Sequence, residues 1–297
     1  MDYGIMDAPL VSIITVNFNQ WEETCQLLRS LERITYSNWE VIVVDNGSEA
    51  KAPDEIEGRF PSVRFLYTKK NLGFAGGNNF ALADSAGDYI LFLNNDVEVE
   101  PDFLEPLVDA FTFFPKLGAA SPRIHFFHRP GVLQYAGSTE MSPYTIRNAT
   151  FGNGQMDQGQ YMDSRLTAFV HGAAMIVSRA VIEDVGMMYE DYFLYYEEYD
   201  WCQRMKKKGF QAAYIGNSLI HHKESVSTGK ESPLKIYYLT RNRLLFARRN
   251  FSFWERVASM LFFAFVSIPK NVFSFAVRGE WSLMKAFLKG VWWNLIH

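Results

Sequence analysis

The feature that most restricts the fold is a set of short apolar runs rich in β-branched residues: residues 10–16 (LVSIITV), 39–44 (WEVIVV) and 89–93 (YILFL). Strands that are apolar at nearly every position bury both faces, as strands of a parallel sheet do. Helical segments alternate with them. Residues 21–33 set Cys25, Leu27, Leu28 and Leu31 among charges, as a covering helix would. Residues 63–67 read as a strand, residues 76–85 as a helix, and Pro101 opens a helix that reaches Phe114, proline being tolerated in a first turn. This alternation predicts an α/β fold with an open, mostly parallel sheet and helices on both faces. Such sheets bind ligands beyond the carboxyl ends of their strands. Across residues 122–166 the periodicity fails, an excursion longer than ordinary connections. Order resumes with a strand over 168–177, a helix over 197–208 and a strand near 212–215.

The 297 residues suit one large domain with an appendage, and the charges locate the appendage. Residues 234–297 hold ten Lys/Arg against two acids (+8), which leaves 19 bases against 31 acids (−12) in residues 1–233. An acidic body argues against a nucleic-acid partner, and a basic, aromatic helical extension argues for an anionic surface. Within that tail, residues 257–268 form a twelve-residue apolar run stopped by Pro269, shorter than the ~20 residues a spanning helix needs. Beyond it Arg278, Lys285 and Lys289 alternate with apolar residues and the Trp292-Trp293 pair. That pattern suits helices lying in a membrane interface; a cap packed on the body is the competing expectation. Cys25 and Cys202 lack metal-ligand spacing and no secretory leader opens the chain, so both are expected to be reduced, packed thiols of a cytoplasmic protein.

The strand ends carry the chemistry. The first run ends Val16-Asn17-Phe18-Asn19 and the second leads into Asp45-Asn46-Gly47-Ser48. Asp45 suits hydrogen bonding to a base or ribose, although Asp-Asn-Gly is also strong turn chemistry. Residues 17–21 contain no glycine, which excludes a dinucleotide-binding fingerprint, and no P-loop pattern occurs. The segment NLGFAGGNN, residues 71–79, is a glycine-rich turn feeding a helix, where backbone amides can approach an anion. Asn94-Asn95-Asp96 places an acid after the third run, where Mg²⁺ or Mn²⁺ could bridge it to a diphosphate. Glu197, Glu198 and Asp200 put three carboxylates among aromatic residues. Crowding there raises the pKa of at least one toward proton-transfer work, while acids at a helix start are also favoured by its dipole. His221-His222 follows the last strand, and imidazole suits a site begun by one aspartate.

In this order VSIITVNFN, IVVDNGS, NLGFAGGNN, GDYILFLNNDV, HGAAMIV, YFLYYEEYDWCQRMKKKGF and IHH resemble the family 2 glycosyltransferases of the GT-A fold. NLGFAGGNN with LNNDV looks most like the rhamnosyltransferase-like branch. The resemblance implies inverting, metal-dependent transfer from a dTDP- or UDP-sugar, dTDP-rhamnose foremost, to a hydroxyl of a glycan or lipid-linked glycan of the cell envelope. It implies a nucleotide-sugar half over residues 1–121, an acceptor half over 122–233, and a tail that holds the enzyme on the inner face of the cytoplasmic membrane.

Residue by residue, the resemblance gives Val16, Asn17, Phe18 and Asp45 the base and ribose, puts Gly73 and Asn78 near the nucleotide, and sets Asn95 near the ribose. Asp96 becomes the ligand of Mg²⁺ or Mn²⁺. Asn94, on the nucleotide-sugar side, stands where the family often has an acid, and His221, ahead of His222, is expected to supply the missing ligand. Glu198 takes the place of the catalytic base. Glu197 is expected to turn to solvent or cap the helix, with Asp200 on its face; His171 and Gly172, with the 122–166 excursion, shape the acceptor side. Two rivals remain. A nucleotidyltransferase needs a glycine- and base-rich loop after its first strand, and a non-catalytic sugar-binding module needs no base.

Overall fold

The apolar runs lie side by side in one half of a ten-stranded sheet. The computed structural model describes residues 8–50, 52, 54–223 and 232–297. The chain begins β1 (Val11–Asn17), α1 (Trp21–Leu31), β2 (Trp39–Asp45), α2 (Asp54–Arg59), β3 (Val63–Tyr67), α3 (Gly73–Ala81), β4 (Tyr89–Leu93), β5 (Val97–Val99) and α4 (Leu104–Phe113). It continues β6 (Leu117–Phe126), β7 (Leu133–Tyr135), β8 (Arg165–Thr167), β9 (Ala174–Ser178), α5 (Arg179–Val185), α6 (Glu197–Lys207) and β10 (Gln211–His222). Four helices close it: α7 (Pro233–Asn250), α8 (Phe253–Phe262), α9 (Ile268–Arg278) and α10 (Trp281–Ile296).

Strands β3, β2, β1 and β4 are mutually parallel. Next to β4 the antiparallel β9 turns the sheet into a mixed one, followed by β6, β10 and the edge strand β5. Residue parity then builds two cores. Val11, Ile13, Val41, Val43, Leu91 and Leu93 pack with α1 and α4, while Ile14, Ile42, Val44, Ile90 and Phe92 pack with α3, α5, α6 and α7. Period-2 alternation with apolar residues at both parities is what burial on both faces requires.

Two departures from the sequence reading matter for the site. Part of the 122–166 excursion is ordered sheet: β6 runs through Pro122, and β7 and β8 pair onto β6 and β10. Pro122 is tolerated because it stands opposite Ile215, where the register of β10 on β6 slips, and prolines inside sheets are confined to such irregular positions. Past that slip β10 continues to His222, where it pairs antiparallel with β5, His222 opposite Val97. The register thus carries the end of β10 to the residue before β5, which is Asp96.

Residues 224–231, at the join between body and tail, lie outside those described. The tail is not a separate unit. Leu244, Leu245, Phe246 and Ala247 of α7 belong to the second core, together with Phe263, Phe275, Leu283 and Phe287. A helix buried all round its middle is a core helix. Helix α10 packs along α7, and Gly290 lets their backbones meet: a Cβ there would lie 2.8 Å from the Tyr237 carbonyl oxygen. Pro269 does not stop the apolar run, because it sits in the first turn of α9 and a π-helical turn at Phe263–Ser267 joins α8 to it. The stretch Phe253–Arg278 is therefore 26 residues, with an 18-residue window of mean hydropathy 1.7, long enough to cross a bilayer by length alone.

Helix α7 also grips the chain leading into α6. Phe193, Tyr195 and Tyr196 have φ of 62°, 69° and 77°, left-handed conformations that cost about 1–3 kcal/mol each without glycine. Fully buried Asn242 holds them, its amide nitrogen donating to the carbonyls of Tyr192 (2.8 Å), Leu194 (2.7 Å) and Tyr195 (2.8 Å). Arg241 donates to the Tyr192 carbonyl as well, at 2.8 Å. Asn242→Ala leaves buried carbonyls unsatisfied at about 1–3 kcal/mol and releases the strain. The expected result is a loss of about 2 kcal/mol or more in urea unfolding at unchanged m-value.

Candidate active site

Helix α6 starts where the gripped loop ends, so its first turn is aimed by α7. Its Glu197 and Glu198 line a cavity of about 260 Å³ together with Asp96, Gln134, His171 and His222. Burial, and then the charge of Glu198, raise Glu197 well above the ordinary carboxyl range, and its Oε2 has no hydrogen-bond partner. Glu197 is 4% exposed, so the expectation that it turns to solvent is corrected. Burial pushes Glu198 up to about 7, opposed by backbone amides of Glu198, Tyr196 and Tyr199. Two carboxyls this close do not both ionise readily. Gly172 flanks the pair, a Cβ there meeting the Glu198 carboxyl carbon at 3.8 Å. Burial and the neighbouring His222 push His171 down to about 3, which makes it a neutral imidazole whose Nδ1 accepts from the Ala173 amide at 3.1 Å.

Asp96 is 6% exposed. Burial raises its pKa, but the His222 imidazole, its own backbone amide and the Asn94 side chain outweigh burial and hold it below the usual carboxylate range. His222 Nε2 lies 3.3 Å from Asp96 Oδ1, and that oxygen accepts no hydrogen bond. His222 Nδ1 faces Gln134 Oε1 at 2.8 Å. An amide oxygen accepts only, so Nδ1 carries a proton; in neutral His222 the lone pair of Nε2 and an orphaned carboxylate oxygen then face the same space. That donor set fits a divalent cation, the partner of the imidazole fixing its tautomer. No group of three or more His, Cys, Asp or Glu that could hold a metal occurs among the described residues, so remaining ligands would come from substrate or water.

A second cavity of about 170 Å³ is lined by Val16, Phe18, Gly73, Asn95 and Phe193, and it shares Phe74, Asn94, Asp96 and Leu194 with the first. Asp96 stands where the two meet. Gly73 has φ +75°, and a Cβ there would lie 2.2 Å from the Phe193 carbonyl oxygen, which accepts from the Phe74 amide at 2.6 Å. The glycine-rich turn is thereby clamped on the loop before α6.

Other candidates lie elsewhere. His221 points to the opposite face of β10, its Nε2 2.9 Å from Glu100 Oε1, so His222 takes the place expected of it beside Asp96. Asn78 is buried in α3 and donates to the Phe74 carbonyl at 2.9 Å, away from both cavity walls. Asp200 turns into the fold, accepting from Tyr192 (3.0 Å), Arg204 (3.0 Å) and Asn250 (2.8 Å). Asn17 is fully buried and ties Asp45 at 3.2 Å to Thr24 at 3.0 Å, bracing the ends of β1 and β2. Cys202 is buried, its thiol pushed up to about 12, a packing residue as expected.

A family model described as "Glycosyl transferase family 2" matches residues 12–186, more than half of the chain. The chain belongs to that family. Among curated relatives of this family 2 glycosyltransferase is the N-acetylglucosaminyl-diphospho-decaprenol L-rhamnosyltransferase of Mycobacterium tuberculosis, 24% identical over 267 residues, covering 83% of this chain and 87% of the relative. The low-salt glycan biosynthesis hexosyltransferase of Haloferax volcanii is 26% identical over 252 residues, covering 82% and 76%. The architecture is that of the GT-A glycosyltransferases. A mannosyltransferase from Pyrobaculum calidifontis, solved with GDP-Man and Mn²⁺, matches with TM-score 0.61 at 13% identity, over 98% of this chain and 88% of that one.

Sequence reasoning missed Gln134 and Asn242, each polar in a stretch without helical or strand periodicity of its own. The glycosyltransferase's dependence on Gly73 is directly testable. Gly73→Ala combines a left-handed residue with a collision and should cost about 2 kcal/mol or more. Gly58→Ala, with open space around its Cβ and a helical position, should be neutral or mildly stabilising in the same thermal melts.

Proposed function

We propose that this enzyme moves a sugar from a nucleoside-diphosphate donor in the smaller cavity to an acceptor hydroxyl in the larger one, inverting the anomeric centre. The observation that carries the reading is the placement of Asp96 in the wall shared by both cavities, with the acid pair in the larger one alone. Glu198 takes the acceptor proton as the oxygen attacks the anomeric carbon from the side opposite the diphosphate. Asp96 and His222 are the residues that would hold Mg²⁺ or Mn²⁺, whose chemistry when bound is to neutralise the charge growing on the departing diphosphate. A pure binding module gains nothing from two carboxyls held at raised pKa in one cavity, which disfavours the non-catalytic rival.

For the donor we take dTDP-rhamnose first and a UDP-hexose second; the rhamnosyltransferase relative supports rhamnose as the sugar, and its name supports a lipid-linked acceptor. The tail supports the same acceptor. Trp254, Phe265, Phe273 and Val277 of α8–α9 are 70% exposed or more, while Phe263 and Phe275 of the same stretch are packed on the body. A helix fastened along one side and apolar on the other suits lying in a membrane interface better than leaving the body to span it. The enzyme is thus peripheral on the inner face of the cytoplasmic membrane.

Glu198→Gln should fold and bind donor normally while turnover falls by about two orders of magnitude or more. In the wild type, kcat should drop about tenfold per unit as pH falls below about 7, where the raised Glu198 carboxyl takes its proton; the variant should lose that limb. Wild-type turnover by Glu198→Gln beside a dead Glu197→Gln would move the base to Glu197. For the metal, calorimetric titration of Mn²⁺ in the presence of UDP should show binding weakened at least about tenfold by His222→Ala and unchanged by His221→Ala. Equal losses in both variants would remove His222 from the site.

A further inference from the structure

Behind the acid-pair loop, on its tail side, lies a separate cavity of about 330 Å³. Its walls include Arg147, Tyr196 and Arg243, over a floor containing Phe275 and Phe287. Arg243, on α7, is only 7% exposed. Its Nε donates to the Thr145 carbonyl at 3.0 Å, Nη2 reaches the same oxygen, and the guanidinium lies 5.1 Å from the centre of the Phe263 ring. Neither Arg243 nor Arg147 pairs with a carboxylate among the described residues. Two other buried cations are compensated by carboxylates, Lys223 sitting 2.6 Å from Glu23 and Arg123 3.3 Å from Asp157, while Arg241 rests on the Asp191 and Tyr192 carbonyls and on Asn242.

Buried Arg243, with exposed Arg147 close by, is costly as it stands. Burial pushes Arg243 down to about 10, and the nearby charge of Arg147 adds to that. A buried charge is tolerated when it is paired and hydrogen-bonded, and two guanidinium forks match the oxygens of a phosphate. The remaining walls describe the rest of the ligand. Ile236, Leu239, Phe275 and Phe287 are apolar, with Thr240 and Asn271 the polar members, and the helices that supply the two phenylalanines expose Phe273, Trp281 and Leu288 on their outer sides. The cavity therefore joins a cationic end to an apolar surface.

We propose that this cavity binds the phosphate head of an anionic amphiphile, with the phosphate between Arg147 and Arg243 and the chain running over Phe275 and Phe287. The assignment rests on the reading of the tail as membrane-facing. It also touches the chemistry: Tyr196, in the cavity wall, immediately precedes the acid pair, and its ring meets Tyr199 and Phe246. An occupied cavity would brace the left-handed residue from which α6 starts, so the ligand would act from behind the acceptor site and outside it.

The test uses the full chain and farnesyl phosphate as probe, with farnesol and inorganic phosphate at equal concentration as its two halves. Farnesyl phosphate should raise the melting temperature saturably, by about 2–4 °C near a hundredfold excess over Kd, and the halves should not. Arg147→Glu, at an exposed position free of ion pairs, removes the like charge beside Arg243, so it should melt at or above the wild type without ligand and lose the shift. Lys285→Glu makes the same charge change outside the cavity and should keep it, and Arg243→Lys should weaken binding severalfold. No shift in the wild type, the same shift in Arg147→Glu, or an equal shift from inorganic phosphate overturns the proposal. Flotation on phosphatidylglycerol against phosphatidylcholine vesicles then separates the sources. Loss in Arg147→Glu but not Lys285→Glu marks a bilayer phospholipid, and retention marks a free isoprenoid phosphate. Trp254→Ser with Phe265→Ser and Phe273→Ser should abolish flotation while sparing the farnesyl phosphate shift. Failure of that triple variant to lose flotation removes the membrane reading alone.

Discussion

The hydrogen bonds from Asn242 to the carbonyls of Tyr192, Leu194 and Tyr195, in the loop before α6, hold the rest of the site in place. Three non-glycine residues in that loop have positive φ, a conformation a free loop would abandon. Because α7 over-determines it, the loop is a rigid ledge with two loads. On one side its Phe193 carbonyl receives the glycine-rich turn at Gly73 and Phe74. On the other, it fixes the direction in which α6 begins. Both cavities therefore take their shape from one polar side chain buried in a helix that lies outside the matched family region.

On that frame the site separates its titratable groups. Asp96 is held below the usual range by His222 and Asn94 despite its burial, whereas burial of the acid pair outweighs the backbone amides that oppose it. His171, between them in the cavity wall, stays neutral. Groups of one chemical type with pKa values pushed apart are the usual arrangement for dividing charge stabilisation from proton transfer. On the proposed reading the carboxylate of lowered pKa faces the donor side and the raised pair faces the acceptor. The orphaned oxygens of Asp96 and Glu197 are the energetic cost of that separation.

Local pattern made the parallel half of the sheet legible, since runs such as LVSIITV and YILFL can be buried only on both faces. Asp96 and Glu198 were legible for the same reason, each at the end or start of a strongly patterned element. His221 against His222 was not. The choice depends on which way β10 faces after its register slip beyond Ile215, and a slip is invisible when the strand seems to end there. Strand β6 was hidden by Pro122, Arg123 and His125, polar or ring-locked residues buried by neighbours that only the fold supplies. Glu197 was misplaced because helix-dipole reasoning treats a first-turn acid as solvated, and the cavity wall desolvates it.

Helix α7 links these observations to the tail. Thr240, Arg241, Asn242 and Arg243 are consecutive and all buried, so at 3.6 residues per turn they face four directions at once. Asn242 and Arg241 face the ledge, and Arg243 faces the cavity on the tail side. On its flank Arg241 also lies 4.7 Å from the Trp293 ring of α10, and its carbonyl accepts from Asn294 at 2.9 Å. Any rotation of α7 that suited a ligand on the tail side would move the donors that hold the ledge. The basic tail is thus mechanically part of the catalytic body, and a surface that engages α8–α10 is engaged to a helix one hydrogen bond from the acid pair's own loop.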